Sequence, residues 1–291
     1  KTAMSLLSQI YESWVPKEKI LFTNIWSSEL AKLTSNAFLA QRVSSINSIS
    51  AICEVTGANI KEVSRAIGKD SRIGSKFLDS GPGFGGSCFK KDILNLVYLA
   101  EYFGLEEVAK SWEEVVNINN WHQKRIAKIV VKKLFGTISQ KKIVILGFAF
   151  KANTNDTRES AAIKICKELI EEGAELVIHD PKVNPLQIEI DLGMKQFSEI
   201  ENENIDNSNN NFGSWTFSKN LNIFDNAHAV LVLTEWEDYK NIDWVHIQKK
   251  MARPSWLFDS RSIVDVDLVK KSGINLWSLG DGSLKNETSD F

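Results

Sequence analysis

Apolar positions in the first half of the chain recur every three or four residues, the period of a helix buried along one side. Residues 1–15 carry Met4, Leu7, Ile10 and Tyr11 at this spacing, and a short apolar run at residues 20–22 comes after a proline, which predicts a helix and then a strand. From Ser27 to about residue 55 the helical pattern is continuous, through Leu30, Leu33, Phe38, Leu39, Val43, Ile46, Ile49 and Ile52. Ser27 or Ser28 would cap its start and Gly57 would stop it. Those residues do not keep to one stripe, so this long helix must be covered on two faces. Helices over residues 60–67, 89–103 and about 108–134 complete an all-helical region.

At Lys141 the pattern changes. Residues 142–147 form a short β-branched run ending at glycine, then a loop, a helix over about 158–172, Gly173 and a second strand at 175–179. That is a βαβ unit, which implies a parallel sheet. Further strands are expected at 229–233, 256–258 and 274–277, while the Asn-rich stretch 200–226 reads as a surface excursion. The fold class is therefore α+β overall, an all-helical region and then an α/β Rossmann-like one. The expected boundaries are 26–135 for the helical domain, 136–282 for the α/β domain and 283–291 for a polar tail. Residues 1–25, opening on Lys rather than Met, read as the tail of a domain that precedes them, so the chain is expected to be a fragment.

Composition narrows the classes. At 291 residues about two domains are expected, and 43% hydrophobic with 25% charged residues is globular composition. Thirty-five basic against 37 acidic residues leave no excess for a nucleic-acid footprint or a polybasic membrane anchor. No apolar stretch is long enough to span a bilayer. Cys53, Cys88 and Cys166 are odd in number and widely spaced, which fits neither a disulfide framework nor a metal site. The expectation is a soluble, cytoplasmic protein with no metal, no nucleic acid and no membrane partner.

Two glycine runs invite a dinucleotide. Gly81-Pro82-Gly83-Phe84-Gly85-Gly86 matches G-x-G-x-x-G literally, but no buried strand precedes it, so the match is refused. Gly147-Phe148-Ala149-Phe150-Lys151 comes directly after a strand yet lacks the second and third glycines, as in a Rossmann-type domain adapted to another nucleotide. The residues just beyond the first run carry more chemistry. Cys88 falls at the first turn of a helix, where free N–H groups and the dipole favour negative charge. Asp92 lies four residues on, on the same face, and a carboxylate there suits proton transfer. A nucleophile and a small buried core cysteine both remain open for Cys88. Lys32 and Asn36 form a second i, i+4 pair, with Lys32 either a surface lysine or an ammonium donating to a substrate oxygen.

The segment Gly83-Phe84-Gly85-Gly86-Ser87-Cys88-Phe89-x-Lys91-Asp92 resembles the active-site signature of the UDP-glucose 6-dehydrogenase family. So do Ser28-Glu29-Leu30-x-Lys32-x-x-x-Asn36-Ala37-Phe38, Gly147-Phe148-Ala149-Phe150-Lys151, Asp156-Thr157-Arg158-Glu159-Ser160, Asp180-Pro181, Thr234-Glu235-Trp236 and Asp259-Ser260-Arg261. The resemblance runs in order from about residue 1 to 280. It implies oxidation of a UDP-sugar alcohol to the acid in two NAD-dependent steps, with Cys88 holding the aldehyde as a thiohemiacetal and then a thioester. It implies that Lys32 and Asn36 bracket the reacting oxygen or a catalytic water while Asp92 assists proton transfer. Phe77, Phe84, Gly85, Phe150, Lys151 and Arg261 would contact UDP-glucose, Arg72 would come from a neighbouring subunit of a homodimer or larger homo-oligomer, and Arg158 would reach the cofactor, NAD.

Lys90 stands where many members carry Pro, and the Asn-rich stretch has no counterpart. By the same resemblance, these 291 residues are expected to hold only the last elements of the family's N-terminal NAD-binding domain. GDP-mannose and UDP-N-acetylmannosamine dehydrogenases are the rivals within the family, and a non-catalytic nucleotide-sugar binding and dimerisation module is the rival outside it.

Overall fold

The structure is a computed structural model that describes residues 2–197 and 212–284. Thr2–Tyr11 form α1. Residues 20–24 form no regular element and join no sheet, and Leu21 and Phe22 are exposed, so the strand expected at 20–22 does not form. A run that short makes a strand only where a neighbour completes its ladder. The long helix α2 spans Ile25–Thr56, capped by the Asn24 side chain on the Ser27 amide (2.8 Å) and stopped by left-handed Gly57. The cap therefore lies before either expected serine. Next along the chain come helices α3 (Ile60–Ile67), α4 (Phe89–Tyr102) and α5 (Glu106–Lys133).

These helices share a core of Leu33, Ala37 and Ala40 from α2, Ile93, Leu96, Val97 and Ala100 from α4, and Ala109, Val115 and Val116 from α5. A smaller cluster joins Ile46 and Cys53 of α2 to Ile60 and Leu78. Ala37 and Ala40 of α2 are wholly buried, and their small side chains let α4 lie close against it.

The second half is a six-stranded, all-parallel sheet in the order β3-β2-β1-β4-β5-β6. Its strands are β1 (Lys142–Leu146), β2 (Glu175–His179), β3 (Ser214–Phe217), β4 (Ala229–Val232), β5 (Trp256–Asp259) and β6 (Asn275–Ser278). Helices α6 (Ala161–Glu171), α7 (Pro185–Leu192), α8 (Trp244–Gln248) and α9 (Val266–Ser272) connect them. Near-continuous apolar strands such as β4 and β5, buried along their whole length, are what a parallel sheet covered on both faces requires. The stretch 200–226 is not simply an excursion. Its residues 200–211 lie outside the described residues, but Ser214–Phe217 is an edge strand pinned by the fully buried Trp215. Helix α6 also starts later than expected, at Ala161 with Ser160 as its cap, which leaves Arg158 in the preceding turn.

The two halves are joined through α5. Its first half packs in the helical core, and its last turns send Ile126, Ala127, Val130 and, just beyond, Leu134 into the core of the sheet. A second join is polar: Glu54 of α2 pairs with Arg125 and accepts from the Gly280 amide (2.9 Å) and Trp277 Nε1 (3.3 Å). The chain reversal is such that β1 leads outward through β2 to β3, while β4 starts the opposite wing. The loops after β1 and β4 therefore border a crevice at the carboxyl ends of adjacent strands, where open α/β sheets bind ligands.

Candidate functional site

The glycine run 81–86 is gripped by buried side chains of two helices. Asn47 Oδ1 of α2 accepts from the Gly81 amide at 3.0 Å, and His122 Nε2 of α5 lies 3.0 Å from the Gly81 carbonyl. Asn119 of α5 makes a paired contact with Phe84, accepting from its amide at 2.9 Å and donating to its carbonyl at 3.2 Å. Gly83 has φ 132°, and a Cβ there would stand 2.7 Å from Asn119 Oδ1, so glycine is obligatory. At the far end the Gly86 amide donates to the Arg158 carbonyl (2.8 Å), and a Cβ on Gly85 would lie 2.5 Å from the Glu159 carbonyl oxygen. One loop is thus tied to the helical half and to the sheet half.

That loop forms one wall of a cleft of about 510 Å³, the size of a small-molecule site. Phe77, Phe84, Gly85, Phe150, Lys151 and Arg261, all six substrate contacts implied for one subunit, line it together. Phe77 holds φ 59°, a left-handed backbone that a bulky residue adopts only where the fold imposes it. Arg261 is anchored by donating to the carbonyls of Leu233 (2.9 Å) and Phe150 (3.0 Å) and by pairing with Glu235 at 3.1 Å. Glu235 and Lys240 also line the cleft, as do Asp79 and Ser80. Cations, carboxylates and apolar rings in one opening suit a ligand with a phosphate end and a flat ring.

Cys88 caps α4 immediately beyond this loop, at the N-cap position rather than inside the first turn, and its side chain is exposed. The buried-core reading of Cys88 is therefore excluded. One turn further on, Asp92 accepts from Lys32 Nζ (2.6 Å) and Asn36 Nδ2 (2.5 Å), so α2 and α4 bring together a trio of which the spacing gave only the Lys32/Asn36 pair. Burial pushes the Asp92 carboxyl up, but the hydrogen bonds from Lys32 and Asn36 and the charges of Lys32 and Lys91 outweigh it and hold it below the usual range. Lys32 itself stays mostly in solvent, 62% exposed at its side chain.

Arg72 and Arg158 lie apart from these groups. Arg72 is not in the cleft; its side chain is 87% exposed and folds onto Asp70 of its own turn (2.6 Å). That turn is fixed to α2 by Arg42, which donates to the carbonyls of Ile73 and Gly74. Arg158 is exposed and paired with Asp156 at 2.7 Å. Close by, Lys90 reaches both carboxylate oxygens of Glu159 (3.0 and 2.9 Å), bridging α4 to the loop before α6, which gives the departure at residue 90 a local function.

Neither glycine-bearing loop offers NAD a phosphate cradle. In the first loop of the sheet, the amides of Phe148 (2.8 Å) and Ala149 (3.0 Å) donate to Asp180 Oδ2, so a carboxylate occupies the donors a pyrophosphate would need. The amides of Gly81, Phe84 and Gly86 are likewise committed. The remaining resembling blocks serve this loop: Ser160 Oγ donates to the Phe148 carbonyl, Thr234 Oγ1 to that of Ala149, and Trp236 Nε1 to Asp180.

The loop clamps Asn47, Asn119 and His122 were not singled out from the sequence. The signal existed: Val115, Val116, Asn119, His122, Gln123, Ile126 and Val130 share one helical stripe, all buried. Burial, with a smaller push from the Arg125 charge and against the bond to Gly81, brings His122 down to about 4.

Known proteins bear on this geometry. The central-domain profile of the UDP-glucose/GDP-mannose dehydrogenase family matches residues 26–121, and that family's UDP binding domain profile matches residues 144–266. UDP-glucose 6-dehydrogenase from Gallus gallus is 53% identical over 264 residues, 90% of this chain and 52% of that protein. UDP-glucose 6-dehydrogenase 3 from Arabidopsis thaliana is 47% identical, covering 96% and 58%. A solved UDP-glucose dehydrogenase from the archaeon Pyrobaculum islandicum superposes with a TM-score of 0.76 at 26% identity, covering 96% of this chain and 56% of that one. The chain spans a little over half the length of the curated relatives it matches.

Proposed function

The chain belongs to the UDP-glucose/GDP-mannose dehydrogenase family, and on that premise we propose that it supplies the nucleophile and the nucleotide-sugar site for the four-electron, NAD-dependent oxidation of UDP-glucose to UDP-glucuronate. The observation that carries the reading is the single cleft that gathers Phe77, Phe84, Gly85, Phe150, Lys151 and Arg261 beside the exposed Cys88. Lys151 and Arg261 would meet the diphosphate and the phenyl rings the uracil. The sugar then lies toward the start of α4, where the Cys88 sulfur adds to the aldehyde carbon and the thiol proton passes to the carbonyl oxygen. A covalent hold keeps the aldehyde from leaving between the two oxidations.

Asp92, held ionised by Lys32 and Asn36, can accept a proton from the water that hydrolyses the thioester. The Lys32 ammonium is placed to favour the oxyanion that this attack forms. The amides of the loops at residues 81–86 and 148–149 are already committed, which supports weak binding of NAD by this chain. Arg158, exposed beside Cys88, is the residue proposed to reach the cofactor. Arg72, free of its own cleft, is proposed to complete the site of a neighbouring copy in a homodimer or larger homo-oligomer. Free thiols at Cys53, Cys88 and Cys166 agree with a cytoplasmic setting.

Relatives at 47–53% identity bear the UDP-glucose name, which favours this sugar over GDP-mannose. Calorimetric titration with UDP-glucose, GDP-mannose and NAD tests the reading. The chain should bind UDP-glucose, prefer it to GDP-mannose by at least about tenfold, and bind NAD weakly. Preference for GDP-mannose, or micromolar NAD binding, would overturn it.

A further inference from the structure

His122 is a buried titratable group to which the chemistry around Cys88 assigns nothing. Its Nε2 lies 3.0 Å from the Gly81 carbonyl, which can only accept, so the proton of the neutral ring sits on Nε2. Nδ1 is buried without a hydrogen-bond partner among the described residues. A second proton there would have no acceptor and would face Arg125 on the same helix. From α2 that arginine is met by Glu54, and from the loop after β5 the Arg261 guanidinium approaches Gly81. The environment therefore locks the ring in one tautomer, as a donor of fixed direction.

We propose that His122 is a positioning residue for the nucleotide-sugar: through the Gly81 carbonyl it holds the loop that walls the cleft and leads into Cys88. This role rests on the sugar-nucleotide reading of the cleft. Both polar groups of Gly81 are taken, the amide by Asn47 and the carbonyl by His122, and three residues later both polar groups of Phe84 are taken by Asn119. The loop is pinned at two points from two helices, with only Pro82 and Gly83 between. Release of the first point frees a buried carbonyl that must find another donor, and the wall formed by Phe84 and Gly85 shifts with it.

Two variants of the whole chain separate positioning from architecture. His122→Gln keeps an N–H donor without a titrating ring, and His122→Leu removes the donor at similar bulk. H122Q should bind UDP-glucose within about threefold of the unaltered chain, whereas H122L should bind about tenfold more weakly or worse. Amide exchange in the peptide over residues 81–86 should quicken in H122L alone. A merely architectural histidine would lower the melting temperature of H122L and leave its affinity unchanged, and that result overturns the role. If H122L does not fold, H122Q decides: folded H122Q weakened tenfold overturns the proposal, because the donor is retained. No binding of UDP-glucose by the unaltered chain overturns the sugar-nucleotide reading and this role together; binding by it and equally by H122L overturns this role alone.

Discussion

Cys88 begins its helix where a loop pinned by three buried side chains ends, so its position is inherited from residues far along the chain. It is also the exposed one of the three thiols, since Cys53 and Cys166 are buried. Iodoacetamide should therefore alkylate Cys88 first, and UDP-glucose should protect it; mass spectrometry of the peptides after brief labelling reads both. Fastest labelling at Cys53 or Cys166 would contradict the assignment of the nucleophile. His122 carries a second expectation, in pH. Its folded-state value of about 4 lies below the ordinary 6.5, so between these values the unfolded chain binds a proton that the folded chain refuses. Stability then rises with pH across that window and is flat above it. Between pH 7 and pH 5 the loss from this residue should be roughly 2 kcal/mol. Denaturant midpoints of the unaltered chain and of H122Q at both pH values isolate it from His179 and His228, which burial also lowers.

At the scale of elements, α2 divides its surface between two tasks. Leu33, Ala37, Ala40 and Ile46 face its own core, while Phe38, Ile49 and Ile52 stay exposed along another side. That second side is the one a symmetry-related copy would cover in the proposed homodimer, an isologous contact. Ile49→Asp with Ile52→Asp should halve the mass seen by light scattering without unfolding the chain, as circular dichroism would verify. Val43 and Ile46 are unsuited to that test, since Val43 lines the cleft and Ile46 is buried within the subunit. The periodicity that made α2, α4 and α5 legible comes from long amphipathic surfaces, and β1, β2, β4, β5 and β6 were legible from dense β-branched or apolar runs. β3 was not, because only Trp215 of its four residues is fully buried and its surroundings are asparagine. The short helices α8 and α9 carry too few turns to show a period. In the site, the cleft residues were reached through family-like blocks, whereas Asn47, Asn119 and His122 were hidden because polar residues on a helix ordinarily face water.

Across the whole molecule, the two halves meet through partly buried charge as well as through apolar packing. Glu54 accepts from Arg125, Trp277 and Gly280, joining α2, α5 and the end of the sheet. Glu54→Ala would leave the partly buried Arg125 guanidinium without its counter-charge, a change that should cost about 1–3 kcal/mol. Urea denaturation monitored by intrinsic tryptophan fluorescence should show that loss; a change below about 1 kcal/mol would mean that solvent reaches the pair and screens it. The sharing of α5 between two cores has a consequence for recombination. Chimaeras of related proteins are commonly cut in the loop between two compositionally distinct halves, which in this chain lies near residues 136–141. A crossover there would graft one parent's Ile126, Val130 and Leu134 onto the other parent's sheet. The exchangeable piece is instead the sheet together with the last two turns of α5, and the natural point of crossover falls inside a helix.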